Sequence, residues 1–357
     1  MNEFYIAQVL PGDLAGMEAV DRLLEHEGLR RDEHLDYTCA MYDAEGRAVA
    51  TGSCCRNTLR CFAVSAGHRG EGLLNRILTH LIGYQAERGN YHLFLYTKPD
   101  AAAFFGDLGF HEIARVPGSL VFMENRRSGF SGYLRQLAQT RRDGVSAAVV
   151  MNANPFTLGH QYLAEQAAAH CDALHLFTVS EDLSEFSFAE RRNMVRLGTA
   201  HIPNVILHDC GPYIISAATF PGYFLKEEAQ IVEAQARLDI EVFKRIAQAL
   251  NITERWVGEE PASVTTGIYN RVMAEALPEA GIRCIVLPRK EANGMPISAG
   301  AVRECLRRGD TQAIKALVPE TTFNCLTNPA ARGKRRIRPP PPGKPRAFRP
   351  PPAVRRP

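Results

Sequence analysis

The stretch Val145–Leu163, VSAAVVMNANPFTLGHQYL, decides how this chain is read. Val145, Ala147, Ala148, Val149, Val150 and Met151 form a short apolar run, suited to a strand buried on both faces. Asn152, Asn154, Pro155 and Gly159 break the run. From Thr157 a helical pattern begins, with Leu158, Tyr162 and Leu163 leading into an Ala-rich segment up to Cys171. A strand, a tight turn and a helix start together expose unpaired backbone N–H groups and the positive end of a dipole. Thr157 and His160 stand where their side chains reach the same anion. The stretch therefore predicts a phosphate site, with ATP as the expected ligand.

Downstream, apolar strands alternate with helices. Leu174–Val179, Val205–His208, Arg255–Gly258 and Arg283–Leu287 read as strands. Phe188–His201, Ile231–Leu250 and Thr266–Ala276 read as helices, the first with Ser187 and Glu190 as a capping box. This alternation predicts a doubly wound parallel α/β sheet, whose ligands bind at the carboxyl ends of the strands. Asn152–His160 falls at such an end. A second loop entering a helix occurs at Ile297-Ser298-Ala299-Gly300-Ala301-Val302-Arg303. Ser298 adds a hydroxyl there, and Arg303 a permanent forked cation suited to phosphate oxygens. Two helix starts far apart in sequence are thus expected to bracket one triphosphate.

Upstream, Phe4–Val9 reads as a strand, Leu14–Glu27 as an amphipathic helix, and Tyr37–Tyr42 with Ala48–Ser53 as a hairpin. Leu59–Val64 is a further strand. It runs into Gly67, Gly70 and Gly72 ahead of a helix carrying Leu73, Leu74, Ile77, Leu78, Leu81 and Ile82. A strand at His92–Thr97, a helix over residues 101–110 and a strand near Leu120–Met123 complete this part. The expected organisation is an α+β domain over residues 1–125, a polar linker with a short helix over 126–143, a parallel-sheet domain over 144–328 and a disordered tail over 329–357.

The composition is that of ordinary soluble protein, 45% hydrophobic and 23% charged in 357 residues. The net charge of +3 hides an asymmetry. Residues 332–357 hold ten Lys or Arg and no acid, so 32 basic residues face 39 acidic ones in the remainder, a net −7. A mildly acidic body predicts no nucleic-acid surface. The basic, Pro-rich tail cannot bury a core. No apolar run reaches the eighteen or so residues of a membrane span, and the first residues lack the layout of a signal peptide. Nine scattered cysteines without paired spacing point to reduced thiols and a cytoplasmic protein. The histidines show no ligand spacing, so no metal site is expected. Arg191-Arg192 reads as a helix surface, Lys226 as exposed and Glu259-Glu260 as a capped helix start or solvated turn.

Asn154-Pro155-Phe156-Thr157-Leu158-Gly159-His160 resembles the T/HxGH signature of the nucleotidyltransferase superfamily, and Ile297-Ser298 with Val302-Arg303 resembles its ISxTxxR partner. Ala299 and Gly300 stand where that superfamily has Ser and Thr. Arg69-Gly70-Glu71-Gly72-Leu73 and Phe104–Phe110 resemble the GNAT acetyltransferase fold, with Gly67 where that fold usually has Gln or Arg. Together with ATFPGYFLK (218–226) and VGEEP and TGIYNRVM within 257–273, the chain to about Asn328 resembles the citrate lyase ligases. That resemblance implies a two-step reaction. Acetate and ATP give acetyl-adenylate and pyrophosphate. The thiol of the pantetheine-type prosthetic group on the lyase's acyl carrier subunit then takes the acetyl group and AMP leaves. It implies that His160 hydrogen-bonds the α-phosphate, and that Thr157, Ser298 and Arg303 hold the outgoing pyrophosphate with Mg²⁺. Asn154, Pro155, Phe156, Gly159 and Gly258 would line the nucleotide site. The GNAT-like part would offer a pocket for a pantetheine-bearing thiol. Two other functions stay open at this point: adenylyl transfer to a phosphorylated pantetheine or nucleotide, and a plain acetyltransferase or carrier-binding module.

Overall fold

The computed structural model describes residues 4–32, 34–180, 184–214, 220, 221, 223, 228–259, 264–292 and 294–327. The basic tail, Lys226 and Glu260 lie outside them. The chain order begins β1 (Tyr5–Gln8), α1 (Leu14–His26), β2 (Tyr37–Tyr42), β3 (Ala48–Cys55), β4 (Thr58–Val64), α2 (Leu73–Glu87) and β5 (Phe94–Thr97). It continues with α3 (Pro99–Asp107), β6 (His111–Val116), β7 (Leu120–Glu124), α4 (Gly129–Ala138), β8 (Ser146–Met151), α5 (Leu158–Ala169), β9 (Ala173–Thr178) and α6 (Phe188–Gly198). The remainder is β10 (Val205–Asp209), α7 (Glu228–Leu250), β11 (Ile252–Gly258), α8 (Val264–Ala276), β12 (Arg283–Leu287), β13 (Glu291–Ala292), β14 (Met295–Pro296), α9 (Ala299–Arg308), α10 (Thr311–Leu317) and α11 (Glu320–Thr327).

The first sheet has the order β1-β2-β3-β4-β5-β7-β6. All its neighbours are antiparallel except β4 and β5. These two pair only at Thr58–Phe94 and Leu59–Leu95 and then part. The side-chain period of two sorts the strand residues between faces. Leu95, Val121 and Met123 pack with α2 and α3. Phe94, Tyr96, Leu120 and Phe122 point the other way, into a core completed by α4, α7 and α8. Sequence reading misses β6, which follows α3 after a tight turn and carries charged residues at its exposed positions.

The second sheet, β10-β9-β8-β11-β12, is parallel throughout, as the alternating pattern predicts. Its central strand β8 is buried on both faces. Ala148 and Val150 meet the α7 side, while Ala147, Val149 and Met151 meet α5, α6 and α9. The chain moves outward from β8 to β10, then returns to β11 on the other side of β8. That reversal opens a crevice at the carboxyl end of β8. The α7 layer lies between the sheets and belongs to both: Arg245 on α7 donates from Nη1 to the Ile113 carbonyl of β6 (2.6 Å). On β9 and β10, His175 Nδ1 and His208 Nε2 lie 2.9 Å apart in the interior. Burial pushes both imidazoles down to about 4. Among the described residues, no helix is long and apolar enough to cross a membrane.

Candidate active site

After Met151 the chain turns through residues 152–156 into α5. Ala153 takes a left-handed φ of +48° while fully buried, a conformation that costs an L-residue about 1–2 kcal/mol unless its surroundings enforce it. Arg191 does the enforcing. This buried side chain donates to the Asn152 carbonyl and side-chain oxygen (both 2.8 Å), the Val179 carbonyl (2.8 Å) and the Phe186 carbonyl (3.1 Å). It ties the turn after β8 to the turn after β9. The sequence expectation of a helix-surface Arg191 is therefore corrected: α6 aims it inward, where unpaired loop carbonyls satisfy its fork. Its neighbour Arg192 does face outward and pairs with Asp209.

Thr157 caps α5, and the cap is reciprocal. The Thr157 hydroxyl accepts the His160 N–H (3.3 Å), and the Thr157 N–H donates to His160 Nδ1 (3.0 Å). A backbone N–H can only donate, so Nδ1 must be unprotonated and the ring proton sits on Nε2. Burial, with help from the positive charge of Arg289, pushes the His160 imidazole down to about 4. His160 is thus a neutral hydrogen-bond donor, oriented by its own helix start. Phe156 stacks beneath it, ring centroids 5.8 Å apart at 20°. Phe156 has room because residue 198 is glycine: a β-carbon there would stand 2.4 Å from the Phe156 ring.

The second helix start meets the first. The Ile297 carbonyl lies 3.5 Å from where a Gly159 β-carbon would be, an ordinary contact distance that places the α5 start against the loop entering α9. Ser298 caps α9 by accepting the Ala301 N–H (3.1 Å). Arg303 reaches back from α9, donating from Nη1 to the Asn154 carbonyl (2.5 Å), with Nε 3.7 Å from Glu185. The Asn154 side chain accepts the Phe186 N–H (3.2 Å). Asn154, Thr157, Gly159, His160, Ser298 and Arg303 therefore converge at the carboxyl end of β8. Gly258 ends the adjacent strand β11, where its carbonyl accepts from Asn270 (3.5 Å). Arg289, unnoticed in the sequence, stands just past β12, its Nε donating to the Glu259 carbonyl (2.8 Å). Among the described residues, no three His, Cys, Asp or Glu side chains gather closely enough to hold a metal.

The first sheet carries a separate cavity of about 730 Å³ where β4 and β5 part. Phe62, Tyr96, Phe104 and Phe105 line its walls, and Arg69, Gly70 and Gly72 its mouth. Gly70 and Gly72 have φ of +86° and +72°, the latter capping α2. Tyr223 also lines the cavity, although it follows β10 in the chain. Its hydroxyl donates to the Tyr96 carbonyl (2.8 Å), and its own carbonyl accepts the Arg30 N–H (2.9 Å).

The parallel sheet and its two facing helix starts define a doubly wound α/β domain joined to a mixed α+β sheet. The model of the citrate lyase ligase C-terminal domain matches residues 146–326. A citrate (pro-3S)-lyase ligase from Klebsiella pneumoniae is 43% identical over 318 residues, covering 87% of this chain and 92% of that relative. One from Escherichia coli strain K12 is 41% identical over 289 residues, covering 79% and 82%. A solved GNAT-family acetyltransferase from Staphylococcus aureus Mu50 is 14% identical, covering 34% of this chain and 98% of that one, with a TM-score of 0.30. The chain belongs to the citrate lyase ligase family and is an enzyme of the ligase class.

Proposed function

We propose that this ligase activates citrate lyase by acetylating the prosthetic-group thiol on its acyl carrier subunit, spending ATP and acetate and passing through acetyl-adenylate. Attack at the α-phosphorus spreads negative charge over the phosphoryl oxygens, so catalysis is positioning and electrostatic stabilisation. The observation that carries this reading is the fixed tautomer of His160. Its Nε2–H is presented at the α5 start as a ready donor, and being neutral it needs no proton exchange to act. Arg303 would hold the outgoing pyrophosphate. Thr157 would act through His160, whose helix start it sets and whose Nδ1 its hydroxyl meets at 2.9 Å, while Ser298 sets the second helix start and would turn its O–H towards the same oxygens. Asn154, Gly159 and Gly258 would form the surrounding wall, with Pro155 in the turn and the fully buried Phe156 supporting His160 from beneath rather than touching nucleotide. The acyl phosphate then gives its acetyl group to the carrier thiol, and AMP leaves.

Mg²⁺ enters this reading as a companion of the nucleotide. Mg²⁺ keeps several waters and binds mainly through substrate phosphates, so it asks for no all-protein cage. When bound it would neutralise phosphate charge. We further assign the cavity in the first sheet to the pantetheine-type arm of the carrier. Its apolar walls suit the arm's methylenes, and a glycine-rich mouth at the start of α2 suits its phosphate. Tyr223 lends this cavity a wall from the 144–328 part, so the proposed division at residues 125 and 144 separates two sheets that share a binding surface.

The test is AMP and pyrophosphate formation from ATP with acetate and a deacetylated carrier, each omitted in turn. Product that depends on acetate supports the ligase. Pyrophosphate release that ignores acetate and follows a phosphorylated acceptor refutes it in favour of adenylyl transfer.

A further inference from the structure

Resting on the adenylation reading above, we propose that Arg289 receives the carboxylate of acetate and aims it at the α-phosphorus. In phosphoryl displacement the entering and leaving oxygens lie roughly in line, on opposite sides of phosphorus. The α5 start with His160 marks the middle, because it follows the central strand β8. Arg303 approaches from the β9 flank, bonded to the Asn154 carbonyl and close to Glu185 on the β9–α6 connection. Arg289 approaches from the opposite flank, two residues beyond β12, with its Nε on the Glu259 carbonyl just past β11. Its turn is anchored to both helix starts. The Lys290 ammonium lies 5.5 Å above the Tyr162 ring of α5, and the Lys290 carbonyl accepts the Ile297 N–H (3.0 Å). With pyrophosphate leaving on the Arg303 side, the Arg289 side is where a nucleophile enters.

The chemistry fits a guanidinium better than a base. Acetate is already an anion and needs no deprotonation. One carboxylate oxygen forms the new bond to the α-phosphorus, the bond from that phosphorus to the bridging oxygen breaks, and pyrophosphate departs with the electron pair. No proton moves. A planar fork grips a carboxylate with geometric specificity that a lysine lacks. The acyl oxygen of the mixed anhydride stays beside the same cation, ready for attack by the thiol.

Initial rates of pyrophosphate release at varied acetate and varied ATP separate the possibilities. Arg289→Gln should raise the KM for acetate about tenfold or more, as expected for a lost charge-assisted pair, with the KM for ATP nearly unchanged. Arg289→Lys should restore part of the loss. Methylguanidinium added to Arg289→Ala should lower the acetate KM again, a rescue that a merely structural role would not show. Arg303→Gln should show the opposite split, raising the KM for ATP. An unchanged acetate KM in Arg289→Gln, or a rise in the ATP KM in step with it, overturns this assignment. Absence of acetate-dependent pyrophosphate release by the unaltered enzyme instead refutes the adenylation reading itself.

Discussion

Replacing His160 by glutamine separates its two jobs. At the third helical position His160 completes the cap of α5, its Nδ1 accepting the N–H of Thr157, a residue that is 1% exposed. Removing that acceptor, as His160→Ala does, strands a buried donor at a cost of about 1–3 kcal/mol. Glutamine three residues after a threonine cap is itself a good capping partner. His160→Gln should therefore melt close to the parent protein, while His160→Ala melts lower. The catalytic loss should be alike in both. Neither variant places a donor where Nε2–H stands, and one missing transition-state donor costs about 2.7–4 kcal/mol, or roughly 10²–10³ in kcat. The measurement is acetate-dependent pyrophosphate release beside thermal melts of all three proteins. The neutral state of His160 adds a pH signature. With its imidazole at about 4, the rate should show no inflection from this group between pH 6 and 8, and should fall only as Nδ1 takes a proton near pH 4–5. If His160→Gln turned over within a few-fold of the parent, the assignment of His160 as donor to the α-phosphate would be refuted.

Three further outcomes follow from other parts of the molecule. His175 and His208 are buried and neutral, so between about pH 6.5 and 4 the unfolded chain binds protons that the folded one refuses. Stability should drop as pH falls through that window, by up to about 1.4 kcal/mol per pH unit for each histidine, and urea titrations of His208→Phe should show a shallower slope. Arg191→Met should destabilise strongly, since each stranded carbonyl costs about 1–3 kcal/mol, and should also abolish adenylation by releasing the turn at Ala153; wild-type melting would contradict the clamp. Ala101→Trp, which fills the first-sheet cavity, should block acetylation of the carrier while leaving acetate-dependent pyrophosphate release intact; unimpaired carrier acetylation would remove the arm from that cavity.

The second sheet was legible because burial on both faces writes its strands as short apolar runs, and β8 was readable from six apolar residues within 145–151. Helix starts were legible for the same local reason: Thr157 and Ser187 cap as their residue types predict, and Ser298, read from sequence only as a hydroxyl for phosphate, also caps its helix. Short elements escaped. β6 alternates exposed charge with burial too close to a turn, and α10 and α11 are too brief to show a period. The larger gap concerns arginines. Nothing around Arg191-Arg192 distinguishes the first as a buried clamp from the second as a surface cation. Arg289 gained meaning only when the strand order put β12 beyond β11. Contacts between the sheets were equally hidden, since Tyr223 and Tyr96 are 127 residues apart.

The helices wedged between the two sheets have a consequence for how this protein can be divided. Phe122 and Ile113 from one sheet share an interior with Phe243 and Ile246 of α7 and with Phe177 of the other. An excised catalytic half would carry α7 with its outer stripe bare to water and without its α4 partner, a greasy surface of the kind that drives association. Gene fragments cut near residue 144 should therefore yield insoluble or chaperone-bound product, and heating the intact chain should melt both sheets in one cooperative step.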